Sequence, residues 1–441
     1  MNKERFLTAD IKKEMLSNAI PALGGITLLA IDSFLDGLII SRLLGPKALG
    51  GLTLLSPFLV FQTALGTLTA SGASILISKA VGQANTEKIN RVFFNLHLTA
   101  GLLWVIGLAF YAVVGRYALN FLSNDGIEIG FAHSFYQVFA AGSFIVIISL
   151  TYGALLRSGG EFKRVSFYLL VSIVVNVLLS LLLVPVYGMA GCAFAILFSL
   201  LVYAVLSFFQ IQRAFQLHLR SSYELKTILE LVSVGLPGFL FQFSSIFRQL
   251  LIIKFLTLYA ASDIALYGVI SRVIALMIIP TQALMQSFQP LYTINLGAKR
   301  FDRCQEAVQL VKRYALLIAL TVCLLAGLFT KSIVGLFLDG PGTAGDVAAF
   351  RICLVLVLYY PVSALSFVQL QSSGFHKYVS WLSSARETVI LLPLLLVFNH
   401  MLVSNAVYWA ILTEVTLYTM LIYRLATHKT GKFFTLQTNE I

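Results

Sequence analysis

Long apolar runs, broken at short intervals by charged or glycine-rich segments, set the pattern of this chain. The runs have the length that a helix rising roughly 1.5 Å per residue needs to cross a hydrocarbon layer about 30 Å thick. Hydropathy and helix breakers predict twelve such spans, over 15–42, 48–78, 92–118, 131–156, 165–186, 188–211, 228–256, 264–294, 314–338, 347–370, 387–403 and 405–426. The fold class is therefore an all-α polytopic membrane protein.

The connections alternate in charge. Those after even-numbered spans are basic, as in KAVGQANTEKINR, RSGGEFKR and GAKRFDRCQEAVQLVKR, whereas those after odd-numbered spans carry little positive charge: LLGPKALG holds one Lys, and LSNDGIEIG and VYGMAG hold none. Together with the two tails, the basic side holds most of the 31 Lys and Arg, which predicts a multi-pass protein of the inner or plasma membrane with both termini cytoplasmic. The chain also repeats. Pro21 in SNAIPALGG is matched by Pro237 in SVGLPGFLF, Gly82 in AVGQA by Gly297 in NLGAK, and Gly159 in RSGGE by Gly374 in SSGFH, all at nearly one offset. Each half carries six spans, so the halves share one orientation and are expected to form two pseudo-symmetric six-helix lobes, 1–211 and 228–441, joined by a cytoplasmic linker over 212–227. A path between two such lobes is the usual architecture of a secondary transporter.

Composition agrees: 59% of the 441 residues are hydrophobic and 11% charged, a balance no soluble fold of this size accommodates without large exposed apolar patches. The net charge of +12 is explained by topology and not by a nucleic-acid partner. Cys192, Cys304, Cys323 and Cys353 lie far apart, so neither a disulfide framework nor a metal site is expected. The charged start leads into a span too long for a signal-peptide core and is read as a retained first helix.

Chemistry is sparse, which makes the ionisable residues within the spans conspicuous. No G-x-x-x-x-G-K-[ST] or G-x-S-x-G is present, and the six histidines show no ligand spacing, so no cofactor is expected and the energy must come from an ion gradient or from a separate subunit. Asp32 and Asp36 sit one turn apart in the first span. A carboxylate in a spanning helix costs about 2.5–3.5 kcal/mol on insertion scales, so the pair is expected to face a watered cavity or a partner; the plainer alternative is that both reach water at the outer interface. Ionised together they repel, which makes them a proton-binding unit, with Pro21 as a ready hinge in the same helix. Arg248 lies 216 positions after Asp32 and is expected to look across the cleft at the acidic face, or else to reach the headgroups. Glu414 stands in the twelfth span as a second cavity residue or a partner of Arg386 or Arg424, while Arg351 and Lys254, near span ends, are expected to snorkel. Asn176 and Ser180, one turn apart in the fifth span, are polar on an apolar helix; interhelical hydrogen bonding is the plain reading, and proximity to the aspartates would change it.

These residues resemble the multidrug and toxic compound extrusion (MATE) transporters, and within them the MepA-like branch, through ALYGVISRVIALMIIPTQALMQSFQPLYTINLGAKRFDR at 265–303 and GLPGFLFQFSS at 235–245, with weaker patterns at 35–52, 153–163 and 175–195. The resemblance covers essentially the whole chain. It implies export of bulky, often cationic amphipathic compounds driven by protons or sodium, with Asp36 at the family's first-helix carboxylate and Asn176 at its fifth-helix asparagine. Ser180 stands where the family often has an aspartate and Ile196 where it has a threonine, which removes ligands a sodium site would use, so protons are favoured over sodium; Asp32 stands where a neutral residue is common and offers a carboxylate from a different helix in place of the missing one. The reading is a monomeric drug, dye or toxic-metabolite antiporter that contacts only small-molecule substrate and lipid bilayer. A flippase for lipid-linked or amphipathic metabolites is the first alternative, and a non-transporting membrane scaffold or integral enzyme the second.

Overall fold

The computed structural model describes residues 3–115, 117, 126–217, 223–259, 263–337, 343–401 and 405–438. Among them there is no strand. In chain order the helices are α1 (Lys3–Thr8), α2 (Ile11–Leu43), α3 (Pro46–Leu54), α4 (Ser56–Gly82), α5 (Thr86–Phe110), α6 (Gly126–Ser158), α7 (Phe162–Phe215), α8 (Leu225–Tyr259), α9 (Asp263–Gly297), α10 (Phe301–Leu328), α11 (Thr330–Phe337), α12 (Ala344–Ser372), α13 (His376–Ala385), α14 (Leu392–Met401) and α15 (Ala406–Thr438). A π-helical turn extends α5 over Tyr111–Gly115, and a second, Arg386–Leu391, joins α13 to α14 as one span. Eleven helical stretches are long and apolar enough to cross a membrane. The 54-residue α7 supplies two crossings, because Gly188 (φ 59°, ψ −136°), three residues after Pro185, breaks it. The twelve predicted spans are therefore present among the described residues.

Several boundaries differ from the hydropathy reading. The second span does not begin at 48: Pro46–Leu54 is a separate short helix, and Pro57, lacking an N–H, suits the first turn of α4 and not the interior of a longer helix. The ninth begins at Phe301, not 314, because Phe301, Cys304, Ala307 and Val311 give the basic run a buried stripe at helical spacing. The eleventh begins at His376, not 387, which moves Arg386 and Glu387 into the middle of a span. The segment assigned to the linker, 212–227, is helical at both ends, and 218–222 lies outside the described residues, as do the expected span ends at 118, 338 and 403.

The repeat is written into the backbone. Left-handed conformations recur in matching turns of the two halves: Ala84 (φ 56°) with Lys299 (φ 58°), Gly160 (φ 80°) with Gly374 (φ 91°), and Gly188 (φ 59°) with Asn405 (φ 58°). The turn glycine that pairs with Gly374 is thus Gly160 and not Gly159, since only one of the two adjacent glycines takes the left-handed conformation.

The halves are joined at the end that carries the basic connections. A Cβ on Gly82 would collide with the Ile294 carbonyl and one on Gly297 with the Lys79 carbonyl, so α4 and α9 cross backbone to backbone. Gly72 and Gly235 allow α4 the same approach to α8. Lys88 pairs with Glu230 (3.0 Å) and Arg91 with Glu224 (3.4 Å). The short α1 is tucked into this seam. Phe6, 2% exposed, lays its ring where a Cβ on Gly160 of the first half would stand. From the second half, Asn295 Nδ2 donates to the Phe6 carbonyl (3.1 Å), and Arg303 donates to Phe6 O (3.3 Å) and Ala9 O (2.7 Å). One buried apolar cluster runs from Phe6 and Leu65 through Phe288 to Leu365 and is shared by both halves. Large side chains such as Leu182 and Leu328 stay exposed on the periphery, as lipid contact requires.

Candidate functional site

In the first half, α2 presents Asp32 and Asp36 on one face to Asn176 of α7. Asn176 Nδ2 donates to Asp32 Oδ1 (3.1 Å) and to Asp36 Oδ1 (2.9 Å). The sequence singled out all three, and the fold brings them together. Asn176 is 1% exposed, whereas both carboxylates are half-buried. One amide group thus serves two acids that would otherwise repel. Its own oxygen, Oδ1, is buried with no hydrogen-bond partner, and so is the Oγ of Ser180 one turn further on. Ionised carboxylates only accept, so the idle Asn176 oxygen can be met by a protonated carboxyl or a cation, and not by the acids in their charged form. Cys192, beyond the Gly188 break, is buried close enough to Asp36 to feel its charge. Pro21 lies lower in α2, which runs unbroken through it; the Pro21 carbonyl accepts from Ser166 Oγ of α7 (2.6 Å).

The second half holds a different arrangement. Arg248 of α8 does not find its partners in the aspartates of the first half, as expected from the repeat. Its Nη1 bonds Glu414 Oε2 (2.6 Å) and lies 3.5 Å from Glu387 Oε2. Arg386 Nε bonds the other Glu414 oxygen and stands 3.8 Å from Glu387 Oε1. Glu414, 0% exposed, is therefore held between two guanidiniums, and the four charges sum to zero. The local reason is that α15 carries Glu414 inward while the π turn adds a residue to the eleventh span and turns Arg386 and Glu387 toward α8. The sequence pattern offers Arg386 only as a partner for Glu414 and leaves Glu387 unused, because a span begun at 387 puts Arg386 outside it and Glu387 at its very edge, eleven residues after the true start at His376. Two opposite charges side by side in an otherwise apolar helix were the available signal.

Three members of this quartet, Arg248, Arg386 and Glu387, line one wall of a cavity of about 460 Å³, whose other walls include Phe241, Tyr360, Phe367 and Tyr418. Arg386 stacks over the Tyr418 ring at 4.4 Å. A mostly apolar, aromatic space of this size with a few convergent polar groups suits a small organic molecule. Arg351, Lys254 and Arg272 are exposed on the periphery, as snorkelling side chains would be.

Comparison with known proteins places this geometry. The model of the MatE family matches the chain twice, over residues 21–182 and 237–397. The chain is 22% identical to the FAD transporter of Shewanella oneidensis over 89% of each chain. It is also 22% identical to the multidrug export protein MepA of Staphylococcus saprophyticus, over 93% of this chain and 92% of that one. Among solved structures, a crystal structure described as MATE in the bent conformation superposes with a TM-score of 0.91 at 19% identity, covering 99% of both chains.

Proposed function

The chain belongs to the MatE family of membrane transporters, and from that premise we propose that it is a proton-coupled antiporter exporting bulky amphipathic organic compounds by alternating access of two lobes, 1–211 and 228–441. The observation that carries the reading is the Asp32–Asn176–Asp36 cluster with its unmet amide oxygen. With both acids ionised, the Asn176 amide group is divided between them. When Asp36 takes a proton it becomes a donor that can turn to Asn176 Oδ1, the repulsion with Asp32 vanishes, and α2 is free to repack against α7. Pro21 leaves the Ser17 carbonyl without its helical donor, so a bend there costs less than elsewhere in the helix. Coupling then requires only that proton and cargo favour opposite arrangements of α2.

The cavity beside Arg248 is the proposed cargo site. Its charge quartet is internally balanced, so it neither repels nor specially attracts a cation. A cytoplasmic basic end, closed by the glycine crossing of α4 and α9, supports reading this arrangement as outward-facing. A second reading, export of phosphate-bearing amphiphiles, is favoured by the likeness to an FAD transporter. Uptake of several dyes into proteoliposomes under separately imposed proton and sodium gradients, for wild type and Asp36→Asn, tests the proposal. Proton-driven uptake lost in Asp36→Asn is expected; uptake driven by sodium alone, or unchanged in the variant, would overturn it.

A further inference from the structure

Among the guanidiniums held within the helix bundle, Arg248 and Arg386 are neutralised by Glu387 and Glu414. Arg157, one residue from the end of α6, is not. Among the described residues no carboxylate lies within ion-pairing distance of it and its guanidinium makes no hydrogen bond; its electrostatic neighbour is the Tyr203 hydroxyl. It opens onto a second cavity, of about 210 Å³, distinct from the one beside Arg248. This space lies on the seam: Ser71, Ser74 and Ser78 of α4 and Ser158 of α6 come from one half, Gln286 and Gln289 of α9 from the other. No carboxylate lines it. Gln289 Nε2 already bridges the halves by donating to Ser74 Oγ (3.2 Å), while the Gln286 amide and the Ser78 hydroxyl have no hydrogen-bond partner among the described residues. Within a turn of Ser78, the crossing of Gly82 and Gly297 closes this end.

An unpaired guanidinium that is half-buried among helices is expensive, and the uncommitted Gln286 amide and Ser78 hydroxyl beside it can both donate. Planar N–H forks beside hydroxyl and amide donors, with no competing acid, are what recognises an oxyanion. We propose that Arg157, Ser78 and Gln286 form a site for a phosphate-class oxyanion, held jointly by the two halves. The anion would be a free phosphate or the phosphate of an amphiphile's headgroup; either one links α6 to α9 and must leave before the seam opens. The site is independent of the aspartate cluster and of the cargo cavity, so its failure leaves the antiport reading untouched.

The test is the thermal stability of the purified full-length protein in neutral detergent, with sodium phosphate, sodium pyrophosphate or micellar short-chain phosphatidic acid against sodium chloride at matched pH and ionic strength. Wild type should show a saturable rise in Tm with at least one phosphate probe. That rise should vanish in Arg157→Gln and need about tenfold more ligand in Arg157→Lys, whose ammonium lacks the fork. A response to phosphatidic acid alone, lost in Arg157→Gln, would assign the site to a headgroup. No response of wild type to any probe, or equal responses of wild type and Arg157→Gln, would overturn the proposal. Should Arg157→Gln not fold, Gln286→Glu puts a carboxylate into the same cavity. That variant should be more heat-stable without phosphate and indifferent to it, and a wild-type response from it would be equally fatal.

Discussion

Removing the charge of Glu414 is the sharpest perturbation of the second half. Glu414 is wholly buried and accepts from two guanidiniums, Arg248 at 2.6 Å and Arg386, which are themselves only 19% and 14% exposed. A hydrogen bond to a charged group contributes about 1.5–3 kcal/mol, and stripping one partner from a buried pair costs about 3–5 kcal/mol because the remaining charge has no water to turn to. Glu414→Gln keeps the shape and one acceptor but leaves two cations facing Glu387 alone. We expect it to lose about 3–5 kcal/mol, roughly two to four powers of ten in the folded-to-unfolded ratio. Adding Arg386→Gln removes one surplus cation, so the double variant should be more stable than the sum of its parts by about 0.5–3 kcal/mol. The assay is denaturant unfolding of the four proteins of this cycle in one detergent. A control at the exposed Lys88–Glu230 pair, with side chains 34% and 40% exposed, should stay within about 1 kcal/mol. The same change leaves the cargo cavity with a net positive charge, so transport of cationic dyes should fall relative to neutral ones. A Glu414→Gln protein that unfolds at the wild-type midpoint, with additive effects around the cycle, would refute the claim that this quartet is one electrostatic unit.

Three further outcomes are expected. Asn176→Ala removes the amide shared by Asp32 and Asp36 and should impair proton-driven dye uptake nearly as much as Asp36→Asn while leaving dye binding to detergent-purified protein within about twofold; unimpaired uptake would count against the cluster. Gly297→Val forces a side chain into the Lys79 carbonyl and should destabilise by about 1–3 kcal/mol, seen as a lower Tm than the same change at Gly268, which has open space around it. Phe6→Ala deletes the ring lodged at Gly160 and should speed tryptic cleavage at Lys12 and Lys13, with an unchanged rate arguing that α1 is not pinned by that ring.

The number of crossings, the duplication and the acidic cluster were readable because each rests on a short-range rule: span length, a repeated proline and glycine, and helical spacing that sets Asp32 beside Asp36. The pairing of Asn176 with both was open to sequence only as a possibility, since it joins residues 140 and 144 positions apart. Arg248 was misplaced for a physical reason. Duplication fixes where an equivalent position lies in its own half, but not which charges will quench it: Glu414, the nearer acid, was in view, while Glu387 stands in a span whose start hydropathy sets too late. The π turn at Arg386 has no signature in apolar periodicity. Arg157 reads in the sequence only as one of the basic residues of a connection, because sequence does not reveal that the end of α6 shares a cavity with α9 of the other half.

The burial of Phe6 has a practical consequence. Anything fused ahead of Lys3, a purification handle or a fluorescent reporter, would tug on the backbone carbonyls that Asn295 and Arg303 grip from the opposite half. Such a fusion would bias the equilibrium it was meant to observe, and opposite-end fusions beyond Thr438 avoid that leverage.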